Sequence, residues 1–124
     1  MAGGTALRAM ALRGFLLLMA ASTLNALWLV SMHGPEVAAA FPGGGGLLRP
    51  LSLALALGLL ASYAGLWAWR RWGLWLAVAM SMLTIGADIA WQAPRLHLGA
   101  ALTSTAALFL LVAANRHRFA ASGR

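Results

Sequence analysis

The sequence contains no cysteine and no lysine, and it has only two acidic residues, Glu36 and Asp88. The lack of cysteine excludes disulfides, thiolate metal sites and a cysteine nucleophile. Charged residues make up 9% of the chain, and 62% of its residues are hydrophobic, whereas soluble domains have about 25% charged residues. This composition excludes a water-soluble globule and a disordered chain. The sequence therefore predicts a small integral membrane protein.

Four long runs of the 124-residue chain carry almost no charge. They cover about residues 14–33, 50–69, 72–91 and 97–115. Each is close to the length of about 20 residues that crosses a bilayer as a helix. We expect one all-α membrane domain over residues 1–124, a bundle of four transmembrane helices running up-down-up-down. Residues 34–49, which include four consecutive glycines, are expected to form an outward loop.

The arginines predict the orientation of these spans. Two of them, Arg49 and Arg95, lie on one side of the expected membrane. The other seven lie on the opposite side: Arg8, Arg13, Arg70, Arg71, Arg116, Arg118 and Arg124. By the positive-inside rule both termini are cytoplasmic. Arginine without lysine, in a chain rich in alanine and leucine, favours a bacterial source and hence the inner membrane. Because the arginines flank apolar runs, the net charge of +7 does not indicate a nucleic-acid partner.

The N-terminal region has a second interpretation. Arg8 and Arg13, followed by an apolar stretch and small residues ending at Ser22, resemble a cleaved signal peptide. The apolar character resumes and continues to Met32, however, which completes a full-length span. We therefore expect the first span to be retained.

Asp88 is the only acidic residue inside an apolar run. Ionisable groups at such depth are expensive and often functional. Ser81, Thr84, Asp88 and Gln92 share one helix face by spacing, and lipid offers them no partner, so this stripe is expected to face the bundle interior. One hypothesis is a ligand site or proton relay that also includes Arg95 and His97. The alternative is a structural ion pair of Asp88 with Arg95 or Arg49.

Other polar residues suggest weaker sites. His33 and His97 fall at the outer ends of two spans, where they could ligate a haem or a metal, although two ordinary interfacial histidines are the favoured interpretation. No paired spacing supports a metal set, so we expect none. A polar layer near the membrane midplane is expected to join the helices by hydrogen bonds. Its members are Asn25, Ser62, Ser81 and Ser104.

The segment Tyr63–Met80, YAGLWAWRRWGLWLAVAM, resembles the hairpin turn of small, uncharacterised four-helix inner-membrane proteins of bacteria. This resemblance implies a helical hairpin with an arginine-rich cytoplasmic turn and no particular activity. The chain is also similar in length and span count to small multidrug resistance transporters. It lacks their membrane-embedded glutamate in the first span, where the polar residue is Asn25.

No catalytic motif, phosphate loop or acid/base pair is found in the sequence. The favoured function is a non-enzymatic accessory, assembly or scaffold component without a cofactor, partnered by the bilayer and by another membrane protein or a second copy. The alternative is a small transporter or binding protein that uses Asp88. A further alternative is a haem- or quinone-binding protein that uses His33 and His97.

Overall fold

The computed structural model describes residues 2–122, with the side chains of residues 4–120, and this part of the chain contains helices and no strand. The four long helices are α1 (Ala2–Met32), α3 (Leu48–Trp67), α4 (Arg71–Ala90) and α5 (Arg95–Ala114). Two seven-residue helices, α2 (Gly34–Ala40) and α6 (Arg116–Ser122), follow α1 and α5. A 3-10 turn at Gly45–Leu47 precedes α3.

All four long helices are long and apolar enough to cross a membrane, as the sequence predicts. The last three begin and end within two residues of the expected boundaries. The first begins at Ala2 instead of residue 14, because Arg8 and Arg13 are part of the helix and do not precede it. The expected outward loop contains α2 and the 3-10 turn. Arg124 lies outside the described residues.

Helices α3 and α4 are in close backbone contact at Gly65 and Gly73. A Cβ atom on Gly65 would lie 2.5 Å from the Gly73 Cα, so neither position tolerates a side chain. The turn between the helices is a Schellman motif. The Arg70 N–H donates to the Gly65 carbonyl at 2.9 Å, the Trp69 N–H donates to the Leu66 carbonyl at 3.1 Å, and Trp69 takes a left-handed φ of 60°. This motif lets three residues reverse the chain.

One end of the bundle, which we call the tryptophan end, consists of Arg13, Trp67, Trp69, Arg118 and Phe119. The Arg13 guanidinium carbon lies 4.9 Å from the centre of the Trp67 ring and 5.3 Å from that of Trp69. Arg118 lies 5.1 Å from the Trp69 ring centre, and Phe119 meets the same ring edge-on at 5.4 Å. These contacts gather α1, the α3–α4 turn and α6 into one cluster.

A buried asparagine ties α1 to the C-terminal part of the chain at the same end. Asn115 is fully buried. Its side-chain amide donates to the Arg8 carbonyl at 3.0 Å and to the Leu111 carbonyl at 2.8 Å. The main apolar core lies beside these contacts and includes Leu12 and Leu66. The tryptophan half of the bundle is therefore densely packed.

The other end, which we call the acidic end, consists of Phe41, Gly43, Asp88, Trp91 and His97. The Gly43 N–H donates to the Trp91 carbonyl at 3.0 Å. A Cβ atom on Gly43 would lie 2.5 Å from the Ala90 carbonyl oxygen, so only glycine allows this contact. The Phe41 and His97 rings meet edge to face at 5.1 Å. The segment between α2 and α3 is thereby held against the end of α4.

Candidate functional site

A cavity of about 630 Å³ lies between the helices and runs along the bundle to the acidic end. Its walls come mainly from α1, α3, α4 and α5 and are mostly apolar. Along α1 it extends from Phe15 to Val30, which is about 22 Å at helical rise. This volume falls within the range of about 300–1,000 Å³ typical of small-molecule sites. The cavity is thus long and large enough for an elongated ligand, and it opens along α1, where its lining residues Leu18 and Ala26 are exposed.

Asp88 lies at one end of this cavity and is only 5% exposed. Its Oδ2 atom lies 3.4 Å from Nε2 of His97, whose side chain is half exposed. This is an ion-pair distance when the imidazole is protonated, and among the described residues no other group reaches Oδ2 as a hydrogen-bond donor. The site therefore offers a buried carboxylate oxygen with unused acceptor capacity.

The turn between α4 and α5 brings Asp88 and His97 together. The chain leaves α4 through a second Schellman motif, in which the Ala93 N–H donates to the Asp88 carbonyl at 2.9 Å. Gln92 takes the left-handed position, with φ 58°. Pro94 then precedes α5 in an extended conformation, with ψ 145°. The third residue of α5, His97, consequently faces the last turn of α4.

The charges of Asp88 and His97 are both placed unfavourably with respect to the dipole of their own helix. Asp88 lies in the last turn of α4, where the helix dipole disfavours an anion, and His97 lies in the first turn of α5, where it disfavours a cation. The pair does not arise from helix capping, because no side-chain cap is present at the start of α5. What it provides is a polar end to an otherwise apolar cavity.

The structure brings together part of the predicted stripe on α4. Ser81, Thr84 and Asp88 all line the cavity, and His97 joins them from α5. Gln92 and Arg95 do not line it and are exposed, since the Schellman motif ends α4 before Gln92. The partner of Asp88 is therefore His97, and the expected ion pair with Arg95 or Arg49 is absent from the described residues.

The predicted midplane layer is divided between two environments. Ser62 and Ser81 are buried, and Ser104 is partly buried. The Ser62 hydroxyl donates to the Leu59 carbonyl at 2.6 Å and the Ser104 hydroxyl to the Ala101 carbonyl at 3.2 Å, so both bond to their own helices. Asn25 is exposed on the outside of α1. The structure does not bring it to the serines.

Two cavity residues were missing from the sequence hypothesis. The Thr23 and Tyr63 side chains are hydrogen-bonded to each other across α1 and α3, and both line the cavity. Tyr63 is the only tyrosine in the chain, and its position inside an apolar run was a usable signal. This pair adds a second polar point to the cavity wall, away from Asp88.

The two histidines have separate surroundings. His33 lies edge-on to Trp28 with ring centres 4.7 Å apart, whereas His97 contacts Asp88 and Phe41. Within residues 2–122, no group of three or more His, Asp or Glu side chains is arranged to hold a metal ion. The observed arrangement suits recognition of a polar group by Asp88.

Comparison with known proteins adds no relative: no protein-family model, curated protein or solved structure matches this chain.

Proposed function

We propose that this chain is a small multi-pass membrane protein that binds, and in its cellular role moves or presents, a small amphiphilic molecule. The observation that carries the proposal is the buried carboxylate of Asp88 at the end of an apolar cavity of about 630 Å³. A scaffold has no need of such a cavity. The cavity therefore favours a non-enzymatic binding or transport role over the accessory role that the sequence alone suggests.

The cellular setting follows from the arginines. We place the four long helices across a bacterial inner membrane, with the tryptophan end and both termini on the cytoplasmic side. The acidic end then faces outward. This orientation is supported by the excess of arginine at the tryptophan end. It predicts that a reporter which works only in the cytoplasm is active when it is fused to the C-terminus.

The chemistry of the cavity limits the ligand. Asp88 and its unused Oδ2 acceptor suit an ammonium group or another hydrogen-bond donor. The apolar walls suit an alkyl or aromatic body, and a carboxylate head would be repelled by Asp88. The expected ligand class is a hydrophobic molecule with one basic or donating head group.

The test is ligand-dependent stability in phosphatidylcholine nanodiscs. Octylamine, octanol and octanoate share one chain length and differ in head group. Octylamine is expected to raise the midpoint of thermal unfolding most, since a ligand at about 100 times its Kd adds about 2.7 kcal/mol to stability. Asp88→Asn is expected to abolish the advantage of octylamine over octanol.

Glu36→Gln is the matched control, because Glu36 is the only other acidic residue and is exposed outside the cavity. It is expected to leave the octylamine effect unchanged. If octylamine stabilises the wild type and Asp88→Asn equally, Asp88 does not recognise the head group. If none of the three compounds stabilises the wild type, the binding function itself is contradicted.

A second candidate function, assembly with a second copy of the chain, is favoured by one observation. Asn25 is exposed on the outside of α1, about two helical turns before the end of the candidate span Gly4–Met32. A primary amide both donates and accepts hydrogen bonds, so two Asn25 side chains can pair across a two-fold axis. Such bonds between membrane helices contribute about 1–2 kcal/mol in model peptides.

The mass of the detergent-solubilised particle tests this assembly. Asn25→Leu is expected to shift a dimer to a monomer in native mass spectrometry. Thr103→Val is the control, because Thr103 is also exposed and polar but lies on α5. A wild-type protein that is monomeric at every concentration would eliminate this candidate and leave the ligand-binding proposal untouched.

A further inference from the structure

The tryptophan end carries a concentration of positive charge. The arginines that belong to this end or lie next to it in the chain are Arg8, Arg13, Arg70, Arg71, Arg116 and Arg118. The only acidic residues in the sequence are Glu36 and Asp88, and these belong to α2 and to the acidic end. Within residues 4–120, neither acidic side chain therefore lies at the tryptophan end.

These arginines differ in their surroundings. Arg13 and Arg118 lie over tryptophan rings, and Arg13 also donates to the Trp67 carbonyl at 3.0 Å. Arg71 and Arg116, in contrast, are exposed and lie on the rim of one groove. Two guanidinium groups on one rim repel each other, and an anion between them removes that repulsion.

The groove itself has a volume of about 500 Å³ and is formed by α4, α5 and α6. Apart from the two arginines its lining is apolar, with Leu74 and Trp75 on one wall and Phe109 and Val112 on another. A free inorganic anion would gain nothing from such a floor. A molecule that combines an anionic head with a hydrocarbon chain matches both parts of the groove.

We propose that this groove binds one anionic phospholipid from the surrounding membrane. The phosphate lies between Arg71 and Arg116, because guanidinium groups bind phosphate oxygens in bidentate fashion. One acyl chain lies along the apolar floor beside Phe109. Trp75, which is 70% exposed, flanks the lipid at the depth where tryptophan favours the membrane interface. This site is separate from the Asp88 cavity.

The test is lipid retention in native mass spectrometry of the full chain released from mild detergent. Phosphatidylglycerol and phosphatidylcholine with identical acyl chains are supplied in equal amounts. The wild type is expected to keep one phosphatidylglycerol in preference to phosphatidylcholine by about tenfold. Arg71→Gln combined with Arg116→Gln is expected to remove the preference.

Arg49→Gln combined with Arg95→Gln is the matched control, because it removes the same charge from two exposed arginines outside the groove. It is expected to keep the preference. Equal loss in both double variants would mean general attraction to a basic protein and would overturn the proposed site. A wild type that shows no preference between the two lipids would overturn it as well.

A second variant tests the apolar floor without removing charge. Ala113 is exposed and lines the groove, so Ala113→Trp fills it while both arginines remain. The retained phosphatidylglycerol is expected to fall several-fold. If Ala113→Trp keeps the lipid, or if inorganic phosphate at millimolar concentration displaces it, binding depends on the head group alone and the groove proposal fails. Circular dichroism verifies that each variant remains helical.

Discussion

The polar side chains at the two ends of the molecule differ in the partners that they have. At the tryptophan end, Arg13 and Arg118 lie over aromatic rings and Asn115 donates two hydrogen bonds to carbonyls. Three buried atoms there lack a hydrogen bond, namely Arg13 Nε, Arg118 Nε and Asn115 Oδ1, but the aromatic faces compensate the two cations. At the acidic end, the Oδ2 atom of Asp88 has the His97 imidazole at 3.4 Å as its one partner among the described residues.

The packing of apolar side chains also differs between the two ends. The main apolar core lies toward the tryptophan end, and the smaller cluster of Leu48, Leu55 and Trp91 lies toward the acidic end, beside the cavity. A close-packed end gives stability, whereas a loosely packed end with an unsatisfied carboxylate gives a place for a ligand. Substitutions in the packed interior of the tryptophan end are therefore expected to lower stability, and substitutions at Asp88 to change binding in the cavity.

The largest effect is expected at the contact between α3 and α4. Gly73→Leu places a side chain where the Gly65 backbone already lies, and the separation of the helices is expected to cost about 3 kcal/mol. Unfolding by dodecyl sulfate in mixed micelles measures the loss. Gly86→Leu on the same helix is the control, since a Cβ there meets no atom within 4 Å. Similar losses for both would contradict a close-packed tryptophan end.

An intermediate effect is expected for the asparagine that ties α1 to α5. Asn115→Ala removes two donated hydrogen bonds from a fully buried position and is expected to cost about 2 kcal/mol. Asn25→Ala, at an exposed position, is expected to leave the unfolding of the monomer unchanged. The same titration compares the two variants, and a greater loss at Asn25 would reverse the interpretation.

The smallest effect on stability is expected at the acidic end. Asp88→Asn removes a costly buried carboxylate together with its contact to His97, so the unfolding free energy should change by less than about 1 kcal/mol. His97→Ala leaves the carboxylate without this partner and should cost more than Asp88→Asn. If Asp88→Asn is the more damaging of the two, the pair serves stability and the contrast between the ends does not hold.

The number and extent of the long helices could be predicted from sequence, because runs of apolar residues bounded by arginine report directly on helix length. The partner of Asp88 could not be predicted from the sequence. Which residue of α5 faces α4 depends on the turn, and the turn contains Gln92 in a left-handed conformation that glycine usually occupies. The same reasoning applies to Trp69. Neither residue type signals such a turn, so Arg95, which is nearer to Asp88 in sequence, was the natural expectation.

The surroundings of the polar residues could also be predicted only in part from the sequence. Spacing on a helix shows which residues share a face, as Ser81, Thr84 and Asp88 do, but it does not show whether that face meets another helix. The exposed position of Asn25 follows from the packing of α1 against α3 and α5. Such packing depends on side chains distant in sequence, and a pattern along one helix does not contain it.

The contact of Gly43 with the end of α4 has a consequence for motion. Consecutive glycines lose more backbone entropy on ordering than any other residues, and this segment is held to α4 by the hydrogen bond from Gly43 to Trp91. Local opening there should require less free energy than opening of the helices. Amide hydrogen exchange is therefore expected to begin at Gly43, before the amides inside α3 and α4 exchange.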